Sequence, residues 1–123
     1  MDSLHDRLTT KQKELLDWGL LSHNPAAIYL LEENMDKVSW CHLSKNPAAI
    51  HILETNLDEI YWCGLSLNSE AIHILEDNLD KVNWWNLSRN PAAIHILENN
   101  LDKINLRSLS LNPNLFKREY LLK

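Results

Sequence analysis

One period runs through this chain and limits what it can fold into. Asparagine recurs every 22 residues, at Asn24, Asn46, Asn68, Asn90 and Asn112. Proline follows at Pro25, Pro47, Pro91 and Pro113, with Ser69 as the exception. Ala-Ile recurs at 27–28, 49–50, 71–72 and 93–94, and Leu-Glu at 31–32, 53–54, 75–76 and 97–98. Aspartate returns at Asp36, Asp58, Asp80 and Asp102. Tryptophan returns at Trp18, Trp40, Trp62 and Trp84, with Leu106 in the last copy. Each copy closes on Leu-Ser, at 21–22, 43–44, 65–66, 87–88 and 109–110. Four full units therefore span 24–45, 46–67, 68–89 and 90–111. Partial units occupy 1–23 and 112–123, and the whole reads as a single repeat domain of 123 residues.

Each unit reads as two short helices. Asparagine accepts from the first free backbone N–H groups, and proline at the first helical position loses nothing by lacking its own. In the unit from Asn90, apolar residues at 92, 93, 94, 96 and 97 cover most of the helix, leaving 95, 98 and 99 to face outward. The second helix is expected to open on aspartate, Asp80 in the third unit, as its cap. Helices this short do not persist alone, so neighbouring units must bury them. The expected fold is all-α: an α-solenoid with a cap at 1–23 and another at 112–123. Ser3 with Asp6 forms the pattern of a capping box, and Thr10 is placed to cap a helix through Lys11 to Leu21. At the other end Lys117 stands in the slot of His51, His73 and His95, Arg118 in that of Leu30, Ile52, Ile74 and Ile96, and Glu119 in that of the repeating leucine, as a polar terminal cap requires.

A leucine-rich-repeat-like α/β solenoid is the alternative. Val38-x-x-Cys41-x-Leu43-x-x-Asn46 fits that strand template, and so does the segment from Ile60 to Asn68. Arg107 weighs against it, because the template would bury an unpaired charge there.

Composition narrows the function. A formal charge of −5 excludes the basic face of a nucleic-acid binder and fits an anionic membrane surface poorly. No apolar run is long enough to span a bilayer, and Met1–Leu16 lacks the apolar core of a signal peptide. Two cysteines, Cys41 and Cys63, do not make a disulfide framework, so free, packed thiols in an intracellular protein are expected.

The consensus Asn-Pro-Ala-Ala-Ile-x-Ile-Leu-Glu-x-Asn-Leu-Asp-Lys-Ile-Asn-Trp-x-x-Leu-Ser resembles short tandem repeats of giant DNA virus proteins across residues 14–116. That resemblance implies a helical viral array engaging host proteins in the host cytoplasm, and it brings no catalytic residues. Residues 71–83 also distantly resemble the second helix and turn of an ankyrin repeat. The 22-residue period and the missing Thr-Pro-Leu-His entry set the chain apart from that family.

No catalytic, metal or cofactor site is expected. His51, His73 and His95 recur with the period, but stacked helices stand ~8–10 Å apart. Imidazoles at that spacing do not share a zinc at ~2.0 Å. Each has a glutamate three residues on, Glu54, Glu76 and Glu98, as a surface partner. The recurring serines lack a nucleophile elbow and read as turn residues. The tryptophans read as a structural column.

Function is sought where the copies differ. The variable slots hold Ser39, Tyr61, Asn83 and Asn105; Cys41, Cys63, Trp85 and Arg107; His42, Gly64, Asn86 and Ser108; and Lys45, Leu67, Arg89 and Leu111. Tyr61, Trp85, Arg89 and Arg107 are of the types that dominate protein interfaces. The reading is a non-enzymatic protein–protein interaction scaffold with these four as binding residues, as a monomer or with weak self-association. The alternative is a structural, self-assembling protein joined end to end through Leu121 and Leu122.

Overall fold

A computed structural model describes residues 3–117. Among these every regular element is helical. The α-helices are α1 (Thr10–Glu14), α2 (Trp18–His23), α3 (Ile28–Glu32), α4 (Trp40–Leu43), α5 (Ile50–Glu54), α6 (Trp62–Leu65), α7 (Ile72–Glu76), α8 (Trp84–Arg89), α9 (Ile94–Glu98) and α10 (Leu106–Leu109). No strand occurs among the described residues, which overturns the leucine-rich-repeat alternative. Its template segment is extended only at Val38 and the capping residue Ser39, and then enters α4.

In the first unit Asn24 caps a 3-10 helix that opens at Pro25 and runs into α3, as expected, but in the later units the helix starts after the Asn-Pro or Asn-Ser turn. Asn46 Oδ1 accepts from Ala48 N at 3.0 Å and closes one turn; Asn90 does the same with Ala92 N at 3.0 Å. The backbone then breaks at the second alanine, Ala49 (φ −99°, ψ 10°) and Ala93 (φ −97°, ψ 10°), before α5 and α9 begin. Ala49, Ala71 and Ala93 are fully buried, and in a close-packed interior a larger side chain there would have to displace its neighbours. Ala92, expected inside, is exposed on the turn. A second asparagine ends each helix: Asn34, Asn56, Asn78 and Asn100 donate Nδ2 to the carbonyls of Leu30, Ile52, Ile74 and Ile96 at 2.7–2.9 Å. Carbonyls in the last turn of a helix have no i+4 backbone donor, and the asparagine supplies one; Ile52 and Ile96 also accept from Thr55 Oγ1 and Asn99 N.

The second helix is not capped by aspartate. Asp36, Asp58 and Asp102 lie inside the 3-10 turns Met35–Lys37, Leu57–Glu59 and Leu101–Lys103. The cap comes three residues later. Asn83 Oδ1 accepts from Asn86 N at 2.9 Å, and Asn105 Oδ1 from Ser108 N at 2.9 Å. At the N-terminus Ser3 and Asp6 do form the reciprocal pair, at 3.0 and 3.2 Å. The Ser3 N–H holds the Asp6 carboxyl below its ordinary range. Its folded pKa is depressed, so this small contribution is present above the unfolded value and is lost as pH falls through the folded one. Thr9, not Thr10, caps α1, with Gln12 returning the bond. The helix stops at Glu14 and restarts at Trp18 under Asp17. Of the C-terminal cap residues, Lys117 is exposed, and Arg118 and Glu119 lie outside the described residues.

Leucines form the core. Leu31, Leu43, Leu53, Leu65, Leu75 and Leu87 are fully buried and Leu97 nearly so, each worth about 1.5–3 kcal/mol of burial. Trp18, Trp40, Trp62 and Trp84 are half-buried and pack against them. Helix α2 lies beside α4, and α8 beside α10.

Between units, polar groups are buried. Ser22, Ser44, Ser66 and Ser88 have no exposed surface. Each hydroxyl donates to the carbonyl four residues back, at 2.7–2.8 Å. Each also accepts the backbone N–H seventeen residues ahead, from Ser39, Tyr61, Asn83 and Asn105, at 2.9–3.0 Å. The asparagines complete the join. Asn46, Asn68, Asn90 and Asn112 donate Nδ2 to the carbonyls of Ser22, Ser44, Ser66 and Ser88 at 3.0–3.1 Å. Serine is thus the residue that links units, and not only a turn residue. Among the described residues the buried polar side-chain atoms without a partner are His5 Nε2 and Trp18 Nε1, and none belongs to these joins.

Ser66→Ala strips Asn83 N–H of its acceptor at a buried join, and should destabilise the fold by about 1–3 kcal/mol in urea unfolding. Ser110 is exposed, so Ser110→Ala should cost less than about 0.5 kcal/mol. Equal losses in the two variants would show that the buried join is not what makes serine recur.

Candidate interaction surface

The four residues singled out as binding candidates all reach the surface. Tyr61 is 55% exposed and Trp85 43%, large values for aromatic side chains, and Arg89 and Arg107 are exposed. Tyr61 precedes α6, Trp85 and Arg89 lie on α8, and Arg107 lies on α10. Among the described residues, no hydrogen bond, ion pair or ring contact joins any two of the four.

Part of the variation between copies is answered within the chain. Ser39, Asn83 and Asn105 differ in type but share one task, accepting a helix-opening N–H. Asn86 Nδ2 reaches back to Cys63, 2.9 Å from its carbonyl oxygen and 3.1 Å from its sulfur. Gly64 lies under the stem of Lys45: a Cβ there would meet Lys45 Cγ at 3.1 Å. These slots vary as matched neighbours. Tyr61 does not fit that account. It occupies the capping slot and makes no side-chain cap.

A second column shows the same unit departing from the pattern. Lys37 Nζ stands 5.1 Å from the Trp18 ring centroid, Lys81 Nζ 5.4 Å from Trp62, and Lys103 Nζ 6.0 Å from Trp84. In each pair the lysine belongs to the unit after the tryptophan. Such a cation is held by the negative face of the ring. In the remaining step, Trp40 is followed by Glu59 where the others have lysine. The signal was legible in the sequence as a Lys, Glu, Lys, Lys column. It takes on meaning only once the lysines are seen over the rings.

Histidine pairing differs from the i,i+3 expectation. His51 Nε2 lies 2.8 Å from Glu32 Oε1, and His73 Nε2 pairs with Glu54, so both reach the preceding unit. His95 does pair with Glu98, at 3.5 Å. Both cysteines are free; Cys41 is half-buried, and Cys63 is exposed rather than packed. Among the described residues no three His, Cys, Asp or Glu gather in a metal-binding group, and no helix is long and apolar enough to cross a membrane.

Comparison with protein-family models, curated proteins and solved structures finds nothing that matches this chain.

Restoring the repeat in the second unit should stabilise it. Tyr61→Asn supplies the missing cap, for about 1 kcal/mol, and Glu59→Lys supplies the missing cation, for about 0.5–1 kcal/mol. Thermal melts of both variants check this. Unchanged or lowered midpoints would mean the second unit gives up nothing by its departures.

Proposed function

We propose that the chain is a non-enzymatic protein–protein interaction scaffold built as an α-solenoid of four 22-residue units. The carrying observation is the division of labour between positions. Residues that recur are buried in the joins, as Ser66 and Asn90 are, while Tyr61 and Trp85 depart from the repeat and stand exposed. Nearest-neighbour hydrogen bonding at a constant spacing supports the solenoid reading. Exposed aromatics beside arginine support a protein partner, with Tyr61, Trp85, Arg89 and Arg107 as its contacts. The resemblance to giant-virus repeats favours a viral protein that binds host proteins in the host cytoplasm.

The test is capture from host-cell extract by the native chain and by a Tyr61→Ala/Trp85→Ala/Arg89→Ala variant of matching helical circular dichroism. A partner retained by the native chain and lost from the variant, with at least tenfold weaker binding on purification, is the expected result. Equal capture by both would remove this face from the proposal.

A structural, self-assembling role is the second reading, and one observation favours it. An apolar cavity of about 220 Å³ opens at the C-terminal end, lined by Ile94, Leu97, Leu101, Ile104, Leu109 and Leu115, among others. The proposed contacts Leu121 and Leu122 lie outside the described residues. A molar mass that stays monomeric in light scattering as concentration rises would exclude this role.

A further inference from the structure

The second unit departs from the repeat twice within three residues, at Glu59 and Tyr61, and each departure gives up an interaction that other units keep. Changes that discard local stability at one place mark a site whose use outweighs the loss. Glu59 ends the turn Leu57–Glu59, which corresponds to Met35–Lys37 and Leu101–Lys103, whose lysines cover the tryptophans of the preceding units. Of the four tryptophans that recur with the period, Trp40 is the one without a cation over its ring among the described residues.

A carboxylate cannot take the lysine's place over the ring. The face of an indole is negative, so it repels Glu59 and attracts a positive charge. Glu59 thus sets an anionic group at the register position from which lysines cover the other rings, and an aromatic ring with a carboxylate is the pairing that proteins use to hold ammonium and guanidinium groups. Among the described residues neither Asp58 nor Glu59 is in an ion pair, so the Glu59 carboxylate is not already neutralised by a cation of this chain. Tyr61, two residues on, is more than half exposed. The chain's net charge of −5 adds a long-range attraction for a basic partner.

We propose that the Trp40 ring and the Glu59 carboxylate together receive a lysine or arginine side chain from a partner polypeptide, which fills the place that Lys37, Lys81 and Lys103 fill from within. The polypeptide nature of this occupant rests on the scaffold reading; the cationic chemistry rests on Trp40 and Glu59.

The probe is a short capped peptide with a single lysine, titrated into ¹⁵N-labelled protein while the indole N–H resonances are followed. Its acetyl-lysine counterpart, which lacks the charge, is the control. Trp40→Leu assigns the Trp40 resonance; Leu106 already occupies the equivalent slot, and a thermal melt verifies the fold. The expected result is a saturable shift confined to the Trp40 indole with the lysine peptide and absent with acetyl-lysine. Glu59→Lys should weaken that binding about tenfold by seating the chain's own cation. A shift of equal size with acetyl-lysine, equal shifts at every indole, no shift, or unchanged binding by Glu59→Lys would each overturn the proposal. Capture experiments separate it from the scaffold reading. If the triple alanine variant loses a partner that Glu59→Lys retains, the scaffold stands and the cation seat falls. If the lysine peptide shifts Trp40 and Glu59→Lys abolishes that shift while the native chain captures no protein partner, the seat stands and the scaffold reading falls.

Discussion

The buried hydroxyl of the recurring serine is the interaction on which the other joins depend. It donates within its own helix and accepts from the residue that opens the corresponding helix of the next unit. One atom thus fixes both the end of one helix and the position of another. Buried polar groups are costly when unpaired, so the bond specifies register as well as adding stability. A shift of the next unit by one residue would leave the Asn83 N–H and the Asn90 Nδ2 without their acceptors at a buried join. Apolar packing of Leu65 on its neighbours tolerates small sliding far better. The leucines supply most of the driving force, and the serine and asparagine columns select one arrangement.

This frame explains which positions can vary. A residue whose side chain joins units cannot change without its partner, and Asn90 and Ser88 are of this kind. A capping slot accepts any short acceptor, so Ser39 and Asn83 interchange. A slot at the surface answers to its immediate neighbour, as Asn86 answers to Cys63. Tyr61 and Glu59 follow none of these rules, which separates them from ordinary drift of exposed positions.

What could be read from the sequence was the period and whatever is local. The Asn–Pro turn and the Ser3–Asp6 pair rest on contacts two or three residues apart, where residue type alone sets the geometry. The all-helical class followed from two short amphipathic segments per period. The misplaced starts have a common cause. Proline and aspartate are good first-turn residues, yet Ala49 and Asp58 sit in separate single turns because burial of the alanine and the extended residue Ile60 break the path. Contacts between units were hidden because no spacing rule within one helix reports them. The glutamate that meets His51 lies nineteen residues back, not three ahead. The lysine over Trp62 is likewise nineteen residues on.

The joins also have a consequence for synthesis. Each described serine or asparagine bond between units closes a span of 17 to 24 residues, and none of them waits for the distant end of the chain. Short closures are entropically cheap and quick to form. A unit can therefore lock onto its predecessor as soon as the next Asn–Pro turn clears the ribosome exit, so the protein is assembled in the order in which it is translated. Little apolar surface then stands open at any moment, and an unfinished chain exposes one end and not a whole core.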